Sequence, residues 1–151
     1  MTLRLDSMAA APDAVKAVYA LETYVSKQSG LPPRLIHLLK LRASIINGCA
    51  YCVDMHTKEA RRDGLSEQWI ALVSVWREAG VFDARERALL GWTDALTNLA
   101  QTGAPDDAYQ AMLAEFSETE ITKLTVAIGL INTWNRIAVG FRMPHEQDAA
   151  A

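Results

Sequence analysis

The chain has 151 residues, of which 50% are hydrophobic and 22% charged, and its net charge at pH 7 is −3. This length and composition fit one soluble globular domain and exclude a disordered or fibrous chain. The basic residues are scattered rather than clustered, which argues against a nucleic-acid partner. The longest apolar run, around residues 124–131, is too short to cross a bilayer, and the first residues lack the apolar core of a signal peptide. We therefore expect a cytoplasmic protein with no membrane partner.

Gly and Pro residues divide the chain into segments, and in no stretch do apolar and polar residues alternate with the two-residue period of a strand. The sequence therefore predicts an all-α fold of about seven helices. The first begins at Pro12 and ends at Gly30. The second is opened by Pro32-Pro33, is apolar almost all round, and ends at Asn47-Gly48. We expect this second helix to be the most buried element.

Five more helices follow, each bounded by capping residues, glycine or proline. They are expected from the Asn-Gly turn to Gly64, from Ser66 to Gly80, from Ala84 to about Ala100, from Pro105 to near Glu115, and from Ser117 to Gly140. Beyond Pro144 we expect a frayed tail that includes His145. No linker or low-complexity block interrupts the chain, so we expect one domain over residues 1–151, with its core at about 15–144.

The stretch 47–56 holds both cysteines of the chain and one of its three histidines. In a helix that begins after the Asn-Gly turn, Cys49, Cys52 and His56 are three and four positions apart and share one narrow face. Two thiols and one imidazole then face the same volume. In a reducing cytoplasm, two cysteines with this spacing are typical of metal binding or catalysis rather than of a structural disulfide.

A Cys-x-x-Cys-x-x-x-His pattern at a helix start favours reactive thiols. The partial positive charge of the helix N-terminus and a nearby imidazolium both stabilise a thiolate, the species that attacks peroxides and disulfides. Attack on a peroxide yields a sulfenic acid, and a second thiol one turn away condenses with it to a disulfide. The histidine adds a general base within one turn. The pattern therefore predicts a dithiol/disulfide cycle.

Residues 38–61, which include Asn-Gly-Cys-Ala-Tyr-Cys-Val-Asp-Met-His, closely resemble the AhpD-like alkylhydroperoxidase branch of the carboxymuconolactone decarboxylase family. Residues 85–97 and 131–144 are similar to later signature segments of that branch, so the resemblance covers about 15–144. It implies an all-helical homo-oligomer that acts as a Cys-x-x-Cys peroxidase or disulfide reductase in antioxidant defence. The implied partners are a hydroperoxide substrate and a lipoyl- or thioredoxin-like dithiol reductant. No cofactor is expected, since the chain has no Gly-x-Gly-x-x-Gly or P-loop.

The resemblance also implies roles for single residues. Cys52 matches the cysteine that becomes the sulfenic acid, Cys49 the one that resolves it, and His56 the proton relay. The family relay usually includes a glutamate at the position that His37 occupies here. Three outcomes are open: His37 substitutes in the relay, Glu86 reaches in from another helix, or peroxidase activity is weak. The plainer alternatives are a buried histidine without a role at 37 and a helix-capping residue at 86.

Three other functions stay open at the level of sequence. A structural zinc site is one, and its four ligands would be two thiolates and two imidazoles: Cys49, Cys52, His37 and His56. Because three of these lie on one helix, we expect no metal. A decarboxylase of the same family is the second, although the paired cysteines favour the redox branch. The third is an oligomer with inert thiols.

Overall fold

The computed structural model describes residues 2–147. Within this range the regular structure consists of α-helices with two short helical extensions, and there is no strand, which confirms the all-α prediction. The α-helices are α1 (Ser7–Ala10), α2 (Pro12–Thr23), α3 (Pro33–Ile46), α4 (Ala50–Arg62), α5 (Glu67–Leu72), α6 (Ala84–Thr97), α7 (Leu99–Thr102), α8 (Asp106–Glu115) and α9 (Glu118–Phe141). A π-helical turn at Tyr24–Gln28 extends α2, and a 3₁₀ turn at Val73–Val75 extends α5.

The seven predicted helices correspond to α2–α6, α8 and α9. The two unpredicted helices, α1 and α7, have four residues each, which is too short for a periodic pattern to reveal. The helix predicted up to Gly80 is shorter than expected, because α5 ends at Leu72 where the β-branched Val73 and Val75 lower helix propensity. Because α1 adds one helix at the beginning of the chain, the cysteine pair, expected at the start of the third helix, lies at the start of α4.

The tail beyond Pro144 has no regular structure as far as residue 147, and His145 is exposed there. The rest of the predicted tail, residues 148–151, lies outside the described residues. In the described part of the chain, no helix is long and apolar enough to cross a membrane.

Helix α3 lies at the centre of the fold, as its apolar sequence predicts. It packs against α4, α6 and α9, and Leu38, Leu39 and Leu41 are almost completely buried. Burying each such side chain contributes about 1.5–3 kcal/mol. This central position places the polar residues of α3 against the helix that carries the cysteines.

The chain reverses between α3 and α4 at Asn47-Gly48. Gly48 has φ +63°, a left-handed conformation that costs glycine little and other residues more. The turn delivers Cys49 as the N-cap of α4, with its Sγ accepting a hydrogen bond from the backbone N–H of Cys52 at 3.3 Å. The sulfur of Cys49 thus accepts the hydrogen bond that a side-chain oxygen accepts in most N-caps.

Asparagine side chains fix this turn to α9. The Nδ2 of Asn47 donates to Oδ1 of Asn132 at 3.0 Å and to Oδ1 of Asn135 at 2.8 Å. Asn135, which is buried, in turn donates to Oγ of Ser44 in α3 at 3.0 Å. Asn47, expected only as a turn residue, therefore also links the cysteine segment to the last helix.

We expect Asn135→Ala to lower the free energy of unfolding by about 1–3 kcal/mol, because it leaves the buried Ser44 hydroxyl without its partner. Urea denaturation measures the change. Thr133→Ala on the same helix is the matched control, since within residues 2–147 its exposed hydroxyl bonds only to Gly129 O one turn back, and its effect should be within about 0.5 kcal/mol. Equal effects of the two substitutions contradict a structural role for the asparagine network.

Candidate active site

Cys49 and Cys52 form a disulfide with a Cα–Cα distance of 5.3 Å. Both are almost completely buried, and they pack against Ala138 of α9 and Met143 beyond it. The two sulfurs are not equivalent in their surroundings. Cys52 lines a cavity and Cys49 is not among the residues that line it.

The cavity has a volume of about 540 Å³ and lies among α2, α3, α4 and α9. This is within the usual range for small-molecule sites. Aromatic rings of Tyr19, Tyr51 and Trp134 contribute apolar wall, and the first and last of these meet edge to face with centroids 4.9 Å apart. Tyr51, for which the sequence left the pocket and the outer surface open, therefore lies in the pocket. His56 and His37 also line it.

His56 has one ring nitrogen engaged and one free. Its Nδ1 lies 2.9 Å from Oε2 of Glu59, one turn further along α4. Its Nε2 is buried and, within residues 2–147, has no hydrogen-bond partner. The hydrogen bond from His56 holds the pKa of Glu59 below its usual value, although burial opposes the shift. Because an ionised carboxylate only accepts, Nδ1 carries the proton.

The protonation of His56 follows from its surroundings. Burial lowers the pKa of His56 below its usual value. The hydrogen bond to Glu59 opposes this shift, while the positive charge of Lys40 adds to it. The imidazole is therefore neutral at pH 7, and the lone pair of Nε2 can accept a proton.

Lys40 of α3 lies in the cavity wall with only 5% of its surface exposed. Its Nζ forms an ion pair with Oε1 of Glu22 in α2. The same carboxylate group accepts from Oγ of Ser26 at 2.6 Å and from Nε1 of Trp134 at 3.2 Å. Burial raises the pKa of Glu22, but the charge of Lys40 and these hydrogen bonds outweigh it, so the net pKa is lowered. The cavity wall therefore contains a fixed ion pair.

His37 reaches the cavity but contacts a different partner from the one its relay role implies. Its Nε2 lies 2.8 Å from Oδ2 of Asp63, just beyond the end of α4. Among the described residues, no hydrogen bond joins His37 to His56. A relay role for His37 stays a prediction.

Glu86 is not brought to the cysteines. It lies at the start of α6, where it closes a capping box with Asp83. Its carboxylate also accepts from Nε of Arg34 at 2.6 Å and from Nε1 of Trp69 at 3.0 Å. These contacts hold it away from the cavity, whose lining does not include it. The idea that Glu86 reaches into the site therefore has no geometric support, and the capping role is the one observed.

Three polar residues of the cavity were missed in the sequence. Glu59 follows His56 by three positions, a spacing that places two side chains side by side on a helix, so it could have been found. Lys40 follows His37 by three positions and could have been placed on the same face of α3. Nothing in the local sequence connects Glu22 with either, because it comes from another helix.

The geometry does not fit the zinc alternative. Both sulfurs are joined in the disulfide, and His37 and His56 have separate carboxylate partners. Among the residues that the structure describes, no group of three or more His, Cys, Asp or Glu side chains could hold a metal ion.

Comparison with known proteins places the chain in a family. Residues 12–95, which include the cysteine helix, match the model of the carboxymuconolactone decarboxylase family. The chain belongs to this family. Within the carboxymuconolactone decarboxylase family it is 65% identical to ATU0492 of Agrobacterium tumefaciens, a protein of unknown function suggested to be the antioxidant defence protein AhpD. The two structures agree with a TM-score of 0.95 over 97% of this chain and 100% of the other. The AhpD-like branch is thereby confirmed.

Two further proteins are less similar to this chain than ATU0492 is. YdfG of Bacillus subtilis, an uncharacterised protein, is 34% identical over 92% of this chain and 94% of its own length. The debrominase Bmp8 has a TM-score of 0.83 but only 18% identity, over 92% of this chain and 74% of the Bmp8 chain. At that identity the likeness shows a shared fold alone.

The buried neutral His56 predicts how stability depends on pH. In the unfolded chain its pKa returns to about 6.5, so below that pH the unfolded state binds more protons than the folded one. The contribution of His56 is thus complete above pH 6.5 and is lost as the pH falls towards its lowered folded pKa, by up to about 1.4 kcal/mol per pH unit. Urea denaturation of the oxidised protein between pH 7.5 and 5 measures this slope.

Two variants separate the effect of His56 on stability from that of the exposed His145. His56→Gln should flatten the pH dependence, whereas His145→Gln, which changes an exposed tail residue, should keep the slope of the original protein. A slope unchanged by His56→Gln contradicts the burial of a neutral imidazole.

Proposed function

We propose that this protein is a thiol-dependent peroxidase that reduces hydroperoxides through a dithiol/disulfide cycle of Cys49 and Cys52. The proposal rests on one observation: Cys52 and His56 line the same cavity. The Nε2 atom of His56 is buried and has no hydrogen-bond partner among the described residues. A sulfur and a buried base with a free lone pair are the two groups that thiol chemistry requires. The disulfide supplies the oxidised end of the cycle.

Access to the cavity assigns the roles of the two cysteines in this proposal. Cys52 lines the cavity and meets the hydroperoxide, while Cys49 lies behind it as the N-cap of α4. Cys52 is therefore the attacking sulfur and Cys49 the resolving one. The same assignment follows from the family resemblance, so two independent arguments agree.

In the first step Nε2 of His56 takes the proton of the Cys52 thiol. The thiolate attacks the terminal oxygen of the hydroperoxide, a sulfur–oxygen bond forms and the O–O bond breaks. The sulfur is oxidised by two electrons to the sulfenic acid, and the leaving oxygen takes up one proton to become an alcohol. Glu59 keeps the proton of His56 on Nδ1, so that Nε2 is the basic atom.

In the second step the Cys49 thiol attacks the sulfur of the sulfenic acid. The disulfide forms and water leaves. A dithiol then reduces the disulfide by thiol–disulfide exchange, which returns both thiols. A lipoyl- or thioredoxin-like dithiol reductant is proposed because the cycle needs two electrons from a thiol donor.

The other expectations from the sequence stay predictions. They are the cytoplasmic location and the homo-oligomer, for which exposed apolar side chains such as Val75, Leu99 and Val139 offer contact surface. The Cys49–Cys52 disulfide gives no support to the decarboxylase alternative, since decarboxylation makes no use of a redox pair.

Single cysteine variants test the assignment of the sulfurs. Cys52→Ser should abolish hydroperoxide consumption, because the attacking atom is lost. Cys49→Ser should still react once and hold a sulfenic acid on Cys52, because nothing resolves it. Mass spectrometry after labelling with dimedone detects that adduct. An adduct on Cys49 in the Cys52→Ser protein, with none on Cys52 in the Cys49→Ser protein, reverses the assignment.

Glu59→Gln tests the partner of His56. Loss of the negative charge should lower kcat/KM by about tenfold or more, because His56 becomes a weaker base. It should also move the acid limb of the pH–rate profile to lower pH, because the carboxylate raises the pKa of His56. Glu67→Gln is the matched control, since its carboxylate pairs with Arg61 outside the cavity. If both variants give the profile of the original protein, Glu59 has no part in the reaction.

A further inference from the structure

Lys40 is a buried charge that stability does not explain. Removing an ion pair from water costs several kcal/mol per ion, and apolar replacements of such pairs are often neutral or stabilising. The pair of Lys40 with Glu22 is nonetheless present in the wall of the cavity, with the lysine almost fully buried. Its position beside the reactive groups suggests a chemical role.

The ammonium of Lys40 has hydrogen-bonding capacity to spare. It carries three N–H donors, and among the described residues Glu22 is the only hydrogen-bond partner of Nζ. His56 provides the complementary group, a buried Nε2 with a free lone pair. Lys40, which can donate, and His56, which can accept, therefore line the same cavity as Cys52.

We propose that Lys40 is a further catalytic residue, which donates a proton to the oxygen that leaves when Cys52 attacks a hydroperoxide. The inference rests on the proposed peroxidase function. A hydroperoxide has a poor leaving group, because alkoxide and hydroxide are strong bases in water. An ammonium at the leaving oxygen allows the neutral alcohol or water to depart instead.

The proposed step conserves atoms and electrons. The Cys52 thiolate forms a bond to the terminal oxygen of the hydroperoxide, the O–O bond breaks, and its electron pair goes to the leaving oxygen. That oxygen receives the proton of Lys40. The proton that His56 took from the Cys52 thiol then restores the ammonium. Sulfur loses two electrons, the O–O bond gains two, and the sum is thiol plus hydroperoxide to sulfenic acid plus alcohol.

Glu22 acts in this proposal as the positioning residue of Lys40. It accepts the hydrogen bond of Nζ and offsets its charge. Ser26 and Trp134 hold the carboxylate in turn, from α2 and α9. The ammonium is thereby fixed at the cavity wall instead of extending to solvent, as lysine side chains usually do.

The test compares two oxidants that differ in their leaving group. tert-Butyl hydroperoxide releases an alkoxide, which needs a proton, whereas peroxyacetic acid releases acetate, which does not. The rate of Cys52 oxidation in the reduced full-length protein is followed by stopped-flow tryptophan fluorescence in a single turnover. Lys40→Met should slow the reaction with tert-butyl hydroperoxide by about 10²-fold or more and that with peroxyacetic acid by no more than about threefold.

The matched control is Lys16→Met. Lys16 is exposed on α2 and is not among the residues that line the cavity, so both rates should stay within about twofold of the original protein. Because Lys40→Met leaves the partly buried carboxylate of Glu22 without its lysine partner, the double variant Glu22→Gln/Lys40→Met is measured beside it, and circular dichroism checks that each is folded. The double variant should show the same selective loss.

The outcomes separate this inference from the proposed function. Equal slowing of both oxidants by Lys40→Met and by the double variant overturns the proton donation and leaves the peroxidase proposal standing. The same holds if neither rate changes. If the original protein oxidises Cys52 with neither oxidant, the peroxidase proposal itself fails, and the role of Lys40 fails with it.

Discussion

The turn between α3 and α4 is the constraint on which the site depends. Gly48 provides the left-handed conformation, the N–H of Cys49 donates to Ser44 O at 3.0 Å, and Asn47 is held by the asparagines of α9. These contacts set where α4 begins. Since the helix start decides which way its first face points, they also decide that Cys52 and His56 face the cavity while Cys49 caps the helix behind them.

Three pairs of ionisable side chains line the cavity. Lys40 meets Glu22, His56 meets Glu59, and His37 meets Asp63. The carboxylate in contact with His56 comes from Glu59 on the same helix. It is a negative acceptor for Nδ1–H of the imidazole.

The fold by itself does not identify the reaction of this protein. The debrominase Bmp8 shares the helical arrangement at 18% identity, and a shared fold supports many reactions. The function proposed for this chain depends on the set of side chains around the cavity. A buried imidazole nitrogen with no hydrogen-bond partner among the described residues and a buried ammonium with spare donors are costly to keep in an apolar interior, and such groups are concentrated at functional sites.

The sequence by itself determined the features that depend on local spacing. Helical periodicity predicted the all-α class, the break at Asn47-Gly48, and the shared face of Cys52 and His56, because these follow from 3.6 residues per turn. Cys49 was expected to face the same volume, but it is the N-cap of α4 and is not among the residues that line the cavity. Only the tertiary structure decided the rest. The partner of Lys40 is in another helix, and Glu86, a candidate in the sequence, is held at the start of α6. Contacts between distant parts of the chain depend on how whole helices pack, and no local pattern encodes which of their side chains meet.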